Sequence, residues 1–375
     1  MTDSLEQWRL TLLKAKAEGS SVHIQGAGTK AFYGTKGVGE IIDTRAHSGI
    51  IHHEPTELVV TVKAGTPWHE LETELQKHQQ YLPFEPPFVN QGATVGGVVN
   101  AGWTGAARLS SGGIRDYVLG AHLLNAEGVL LKFGGQVMKN VAGYDISRLL
   151  VGSMGTLGLM TQVSLKLLPQ PKATLSVCFT IGFTAAQKLC RLFLVKPIAV
   201  TGTAWFEGVL TVRLAGMNAA VEAGEVALLS WATESGVTDF QHLSPSAAQA
   251  FWDDVNEQRH PYFNHPPTPE HELWRVVLPT SVEGLSVMND TGLALWGGSL
   301  RWRWQKNTQK EAQDLIQKCQ QAGGHALRYR GHQAPFSENF LSARPELMAL
   351  QEQVRRQFDP TSLFNRNRFG VTHVS

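Results

Sequence analysis

The chain has 375 residues, a formal net charge of +1 and 17% charged residues, against the roughly 25% usual for soluble domains. That length suits roughly two or three domains with a core that needs no disulfide or metal staple. The near-neutral, charge-poor composition excludes a nucleic-acid binder that works by phosphate neutralisation. Glycine is the outlier, 37 residues where about 7% is usual, which means many tight turns and close backbone approaches. Cys178, Cys190 and Cys319 form no C-x-x-C pair and read as buried apolar thiols in a reducing compartment. No apolar run nears the roughly 18 residues of a membrane span, and the stretch 189–200 is broken by Arg191 and Lys196. The N-terminus shows no secretory signal. A soluble, cytoplasmic protein is expected, with docking on a membrane complex left open.

In chain order, Leu5, Trp8, Leu12 and Ala15 predict an N-terminal amphipathic helix. Val22–Gln25 reads as a strand feeding the loop Gly26-Ala27-Gly28-Thr29-Lys30. Residues 57–65 read as a second strand, after which Thr66 caps a helix with Pro67 at its first position, burying Trp68, Leu71 and Leu75. A proline-rich turn (Pro83, Pro86, Pro87) leads into a glycine-rich run over 92–105. Residues 118–125 and 129–133 predict a hairpin turning at Glu127-Gly128, and 157–168 is strand-rich, stopped by Pro169 and Pro171. Beyond that punctuation the expectation is strand 175–183, helix 184–195, a hairpin over 200–215, helix 218–235, strands 273–279 and 293–304, helix 310–321 and strand 325–330. This order predicts an antiparallel sheet backed by helices on one face. Residues 258–272, with four prolines, read as a surface loop. Leu347, Leu350, Val354 and Phe358 mark a last helix.

Three glycine clusters carry the chemistry. The spacing Gly26-x-Gly28-x-x-Ala31 is a loose Rossmann fingerprint, but no helical period follows it, so a Rossmann fold is rejected. The second cluster is Gly92-Ala93-Thr94-Val95-Gly96-Gly97, continuing to Asn100-Ala101-Gly102. The third is Gly152-Ser153-Met154-Gly155-Thr156-Leu157-Gly158, running into Leu159. Successive small residues let backbone amides approach a bulky phosphorylated ligand and form anion nests. One such loop is readily a plain turn. Three separated by strands favour a long ligand with two phosphates.

The order of these loops resembles the flavoprotein family of vanillyl-alcohol oxidase and p-cresol methylhydroxylase. The run Phe133–Asp145, followed by Ser147-Arg148-Leu149-Leu150-Val151-Gly152-Ser153, is similar to the K-N-x-x-G-Y-D…L-x-x-G-S signature of D-2-hydroxyacid dehydrogenases. Together with Leu82–Pro87, Gly113–Gly120 and the tail Phe358–Asn365, it most resembles the FAD-binding E-type subunits of bacterial glycolate oxidases. The resemblance implies an α+β protein: a two-part FAD domain of the p-cresol methylhydroxylase type over 1–171 and a second α+β domain over 172–340. The helix and tail over 341–375 would pack back on the first. FAD contacts are implied for Gln25 and the first loop, for Pro87, for Gly92, Ala93, Thr94, Gly96, Gly97, Ala101 and Gly102, for Asp116, for Gly152, Ser153, Gly155, Thr156, Gly158 and Leu159, and for Asn365. Neither of the first two loops contains a histidine, so the FAD is expected to be non-covalent.

The departures limit the activity. Metal-dependent relatives carry H-x-G-D-G-N-x-H, whereas this chain has only His325 and His332 in the comparable stretch, with no carboxylate between them, so no metal is expected. In the tail, Asn365-Arg366-Asn367-Arg368 replaces the relatives' N-P-G-[KR]. Tyr144, Arg275 and Arg301 are the candidate substrate residues, since arginine clamps a carboxylate bidentately. Arg301 and Arg303 share one strand face, for which a solvated face is the plainer reading. No catalytic base stands out among 14 histidines. The resemblance implies a subunit of a glycolate-oxidising complex with a non-NAD acceptor, partnered by a D-type flavin subunit and an iron–sulfur F-type subunit. Two alternatives stay open: a free-standing FAD-dependent 2-hydroxyacid or sugar-acid oxidoreductase, and a non-catalytic scaffold with structural FAD.

Overall fold

The computed structural model describes residues 4–135, 145–282, 292–331 and 345–369. The chain folds as two compact units: residues 1–103, 113–169 and 335–375 form the first, and 104–112 with 170–334 form the second.

In the first unit, β1 (Val22–Gln25) pairs in parallel with β2 (Glu40–Asp43). A five-stranded antiparallel sheet follows in the order β3 (Ile50–Glu54), β4 (Val59–Lys63), β8 (Leu159–Lys166), β6 (Val118–Leu124), β7 (Leu130–Gly134). β5 (Gln80–Tyr81) and β9 (Leu168–Pro169) form a short antiparallel pair. β4 lies inside the sheet and reads V-V-T-V, apolar on both faces, and its one hydroxyl, on Thr61, pairs with Ser164 on β8 at 2.8 Å. The helices α2 (Trp68–Lys77) and α3 (Val95–Ala101) close the sheet's core with Trp68, Leu71, Leu75, Val95, Val98 and Val99. A second core joins Trp8, Leu12 and Ala15 of α1 (Ser4–Ala17) to Val22, Ile42 and Phe364.

The second unit is one eight-stranded antiparallel sheet, in the order β13 (Phe240–His242), β10 (Ala173–Thr180), β12 (Val209–Gly216), β11 (Val200–Phe206), β15 (Leu293–Leu295), β16 (Leu300–Lys306), β14 (His271–Val277), β17 (His325–Arg330). Helices Phe183–Val195 and Asn218–Glu234 cover one part of it, and Gln309–Gln321 covers Trp274, Val276 and Ala326. All three cysteines are buried and free, and burial pushes the Cys190 thiol up to about 12.

Several expectations change. Pro67 is the residue before α2 rather than its first turn, and the Thr66 hydroxyl is not a helix cap. It donates to the Lys63 carbonyl at 2.7 Å and accepts the Gly49 amide at 2.9 Å. The strand expected over 293–304 is broken by a turn at Trp296–Gly298, where Trp296 and both glycines have positive φ. The stretch 258–272 is a surface loop only over 264–270: Gln258, Tyr262 and Phe263 are buried, Gln258 Nε2 donates to the Tyr329 hydroxyl, and the Tyr262 hydroxyl donates to the Trp302 carbonyl. Helix Pro245–Asn256 was not foreseen, although Ser244 before Pro245 is a strong start signal. In the last helix (Pro345–Phe358) Val354 and Phe358 pack on the core, but Leu347 and Leu350 are exposed.

The tail after that helix is tied down by a buried carboxylate. Asp359, 0% exposed, accepts the amides of Leu363 (2.9 Å) and Phe364 (2.8 Å). Asp359→Ala leaves both buried amides unpaired, so the unfolding free energy of the first unit falls by about 3 kcal/mol. Asp359→Asn, which keeps one acceptor, loses clearly less. Urea denaturation followed by tryptophan fluorescence measures both.

Candidate functional site

β1 delivers the chain into the first glycine loop, and that loop is held open by its neighbours. A Cβ on Gly26 would overlap the Thr94 side chain, so only glycine allows this approach. The Ala31 amide donates to the Gly28 carbonyl and closes the turn. The amides of Ala27, Gly28 and Thr29 find no acceptor among the described residues. Three consecutive unpaired N–H groups at the mouth of a cavity form a nest for an anion.

The second glycine run is not a loop. Thr94 caps α3 by accepting the Gly97 amide at 3.2 Å, and the small residues let the helix lie against β4, where a Cβ on Gly96 would come within 2.7 Å of Ala64. Asn100 on α3 then receives the third run: its carbonyl accepts the Met154 amide at 2.8 Å and its Oδ1 accepts the Ser153 hydroxyl at 3.0 Å. The tail completes the enclosure. Asn365 Oδ1 accepts the Ile24 amide and its Nδ2 donates to the Met154 carbonyl, both at 2.7 Å. Arg368, 7% exposed, donates to the carbonyls of Thr35 (2.8 Å) and Lys30 (3.1 Å). Asn367 takes a positive φ of 62°, a backbone conformation asparagine tolerates better than most residues.

These segments line one cavity that opens to solvent. Of the residues expected at the cofactor, Gln25, Gly26, Ala27, Gly28, Thr29, Lys30, Thr94, Gly96, Gly97, Ala101, Gly155 and Asn365 line it. Pro87, Gly92, Ala93, Gly102, Asp116, Gly152, Ser153, Thr156, Gly158 and Leu159 do not. Several of these hold the surrounding structure. Asp116 accepts the Gly113 amide, the Ser153 hydroxyl donates to Asn100 on α3, the Thr156 hydroxyl donates to the Ser153 carbonyl, Gly102 ends α3, and Leu159 is core. Pro87 precedes Phe88, whose ring lies 5.5 Å from Lys30 Nζ.

The lining also holds Asn100 and Met154 from within the glycine runs, and two residues that the sequence reading missed, His23 and Arg368. Lys30 and Arg368 are cationic, and no carboxylate lines the cavity among the described residues. Burial, then the nearby Arg368 charge, lowers the His23 pKa, so this imidazole stays neutral near pH 7. Its Nδ1 is buried without a partner and faces Gly37, where any Cβ would overlap it. The arrangement suits a dianionic group held by loop amides and two cations.

The substrate candidates fare differently. Tyr144 lies outside the described residues. Arg275, in the second unit, stacks over the Trp296 ring at 5.4 Å. The Arg301 face is not solvated. Arg301 is 0% exposed, donates to the carbonyls of Gly298 and Val282, and lies over the Phe183 ring at 5.1 Å. Burial pushes its pKa down to about 10. Of the two histidines considered as ligands, His325 is exposed on β17 and His332 lies outside the described residues.

Comparison with known proteins agrees with this geometry. An FAD binding domain family matches residues 2–134. Over 96% of this chain the fold is similar to 75% of an alkyldihydroxyacetonephosphate synthase, with a TM-score of 0.68 at 13% identity, a likeness of fold alone. The family match, with the cradle, marks the chain as an FAD-binding flavoprotein. The glycolate oxidase subunit GlcE of Escherichia coli is 38% identical over 92% of this chain and 91% of its own length. The chain belongs to the family of glycolate oxidase GlcE subunits. Similarity to the glycolate oxidase subunit GlcD of Bacillus subtilis is partial, 34% identity over 40% of this chain and 33% of that protein. The D-lactate dehydrogenase of Archaeoglobus fulgidus is 36% identical over 28% of this chain and 24% of its own length. Among the described residues, no helix is long and apolar enough to cross a membrane.

Lys30→Met and Arg368→Met each remove a cation from an anion cradle. Each is expected to weaken FAD binding by about tenfold or more, the scale of one charge-assisted hydrogen bond. Fluorescence titration of the apoprotein measures it, with circular dichroism as the control for folding.

Proposed function

We propose that the chain is the FAD-binding subunit of a multi-subunit glycolate dehydrogenase. The complex oxidises glycolate to glyoxylate with an acceptor other than NAD, alongside a D-type flavin subunit and an iron–sulfur subunit. The observation that carries this reading is the cavity itself, which among the described residues has three unpaired loop amides, two cations and no carboxylate. It lies in a chain that shares nearly its full length with a glycolate oxidase subunit. The amides of Ala27, Gly28 and Thr29, with Lys30 and Arg368, would hold the diphosphate. Asn365 and Asn100 would position those loops without touching the ligand's charge. FAD, when bound, supplies two-electron redox chemistry.

Oxidation of a 2-hydroxyacid moves a hydride from the α-carbon and a proton from the hydroxyl to a base, while an arginine fixes the carboxylate. Arg301 gives Nε and Nη2 to internal carbonyls, with Nη1 buried and unpartnered among the described residues, and Arg275 lies over a tryptophan face. His23 is neutral but has its free nitrogen against Gly37, and is not assigned as the base. Dependence on partner subunits follows from this. Non-covalent FAD is supported by the first two glycine runs, neither of which contains a histidine.

Purified alone, the protein should carry flavin that acid precipitation releases into the supernatant. Its visible bands should persist under anaerobic glycolate and bleach only when the D-type and iron–sulfur subunits are added. Bleaching without partners would identify a self-sufficient dehydrogenase. Bands that no combination bleaches would leave the FAD a structural role.

A further inference from the structure

A second cluster of chemistry lies at the C-terminal end of α2, formed by residues that do not line the flavin cavity. Glu74 and His78 are four apart, so they share one face of the helix end. His53 reaches them from β3. One ring nitrogen from each histidine and one Glu74 carboxylate oxygen all lie within 4.8 Å of one another. Glu74 Oε1 is 3.9 Å from His53 Nδ1 and 3.7 Å from His78 Nε2. The two imidazole rings stand edge to face, with centroids 4.9 Å apart.

The hydrogen bonds around His53 decide which of its nitrogens is available. Gln80 Nε2 donates to the Pro55 carbonyl at 2.8 Å, which turns Gln80 Oε1 toward His53. That oxygen lies 2.9 Å from His53 Nε2, and an amide oxygen can only accept, so Nε2 carries the proton. In the neutral ring the Nδ1 lone pair then faces the Glu74 carboxylate. Two acceptors, His53 Nδ1 and Glu74 Oε1, then face one space. A ligating histidine that gives its other N–H to a fixed oxygen is the usual supporting arrangement at metal sites.

We infer that His53, Glu74 and His78 bind one divalent transition-metal ion of the zinc type, with water completing the coordination. Two imidazoles and a carboxylate suit that class of cation, whereas calcium and magnesium prefer oxygen ligands throughout. Bonds of about 2.0–2.1 Å at tetrahedral angles place ligand atoms about 3.3 Å apart. The two separations to Glu74 must therefore close by roughly half an ångström, and the histidine nitrogens, within 4.8 Å of each other, by up to about 1.5 Å. His53 is fixed, its side chain 8% exposed, while Glu74 and His78, at 29% and 41%, have room to move. The ion would pin the end of α2 to β3. Its competitor is Lys77, whose Nζ holds Glu74 Oε2 at 2.8 Å from a side chain 64% exposed.

The test uses the full-length, tag-free protein, stripped by a chelator and titrated with Co²⁺ as a coloured probe and then with Zn²⁺. The expected result is saturable binding of one Co²⁺ with visible ligand-field bands, displaced by one Zn²⁺. His78→Ala, at an exposed helix end, should abolish that binding while flavin content stays unchanged, and His53→Ala should do the same. Gln80→Leu should weaken it by about 10–100-fold, the usual cost of losing a histidine's supporting partner. Lys77→Met should tighten it, a gain that a merely structural role for these side chains would not produce. Absence of saturable Co²⁺ binding, or binding that survives His78→Ala unchanged, would overturn the assignment.

Discussion

The carboxamide of Asn365 accepts the Ile24 amide and donates to the Met154 carbonyl, and the walls of the flavin cavity are set by that pair of bonds. One bond fixes the end of β1, from which the first glycine loop springs. The other fixes the third glycine run. The tail can reach both because Asp359 turns it inward and because Val22 exchanges backbone bonds with Leu363 and Asn365. Residues more than 300 positions apart thus meet at one site, and Arg368 arrives on the same tail to add its charge. The cradle is a property of the folded first unit, not of any loop alone.

The glycines serve two ends in this arrangement. Some lower the walls so that protein can touch protein: Gly26 against Thr94 and Gly96 against Ala64 bring strand, helix and loop into contact. The same closeness leaves the amides of Ala27, Gly28 and Thr29 without protein acceptors and available to an anion. Packing and binding are therefore coupled. A side chain added at Gly26 would move the loop away from Thr94 and disturb the amides, although it need not touch the ligand.

In the second unit, the arginines that looked suited to a substrate carboxylate make contacts within the fold. Arg301 is buried among carbonyls and an aromatic face, and Arg275 lies over Trp296. A chain that builds a full cofactor cradle but spends these cations on its own fold fits a role within a larger assembly.

Much of this was legible in the sequence. Strand boundaries at Val22–Gln25 and His325–Arg330, the hairpins at Glu127-Gly128 and Glu207-Gly208, and the buried stripe of α1 follow from local periodicity and turn chemistry, which a short window contains. The glycine runs and the tail motif announced an α+β flavoprotein. Local pattern could not tell that the second run is a helix, because glycine disfavours helices and only packing against β4 and the Thr94 cap favours one there. Nor could it give the burial of Arg301, the presence of His23 and Arg368 in the cavity wall, or the meeting of His53 with Glu74 and His78. Each of these depends on which distant segment lies opposite, and that is settled when sheets, helices and tail close on a common core. The sequence by itself determined the elements and the kind of ligand; the tertiary structure decided which side chains face it.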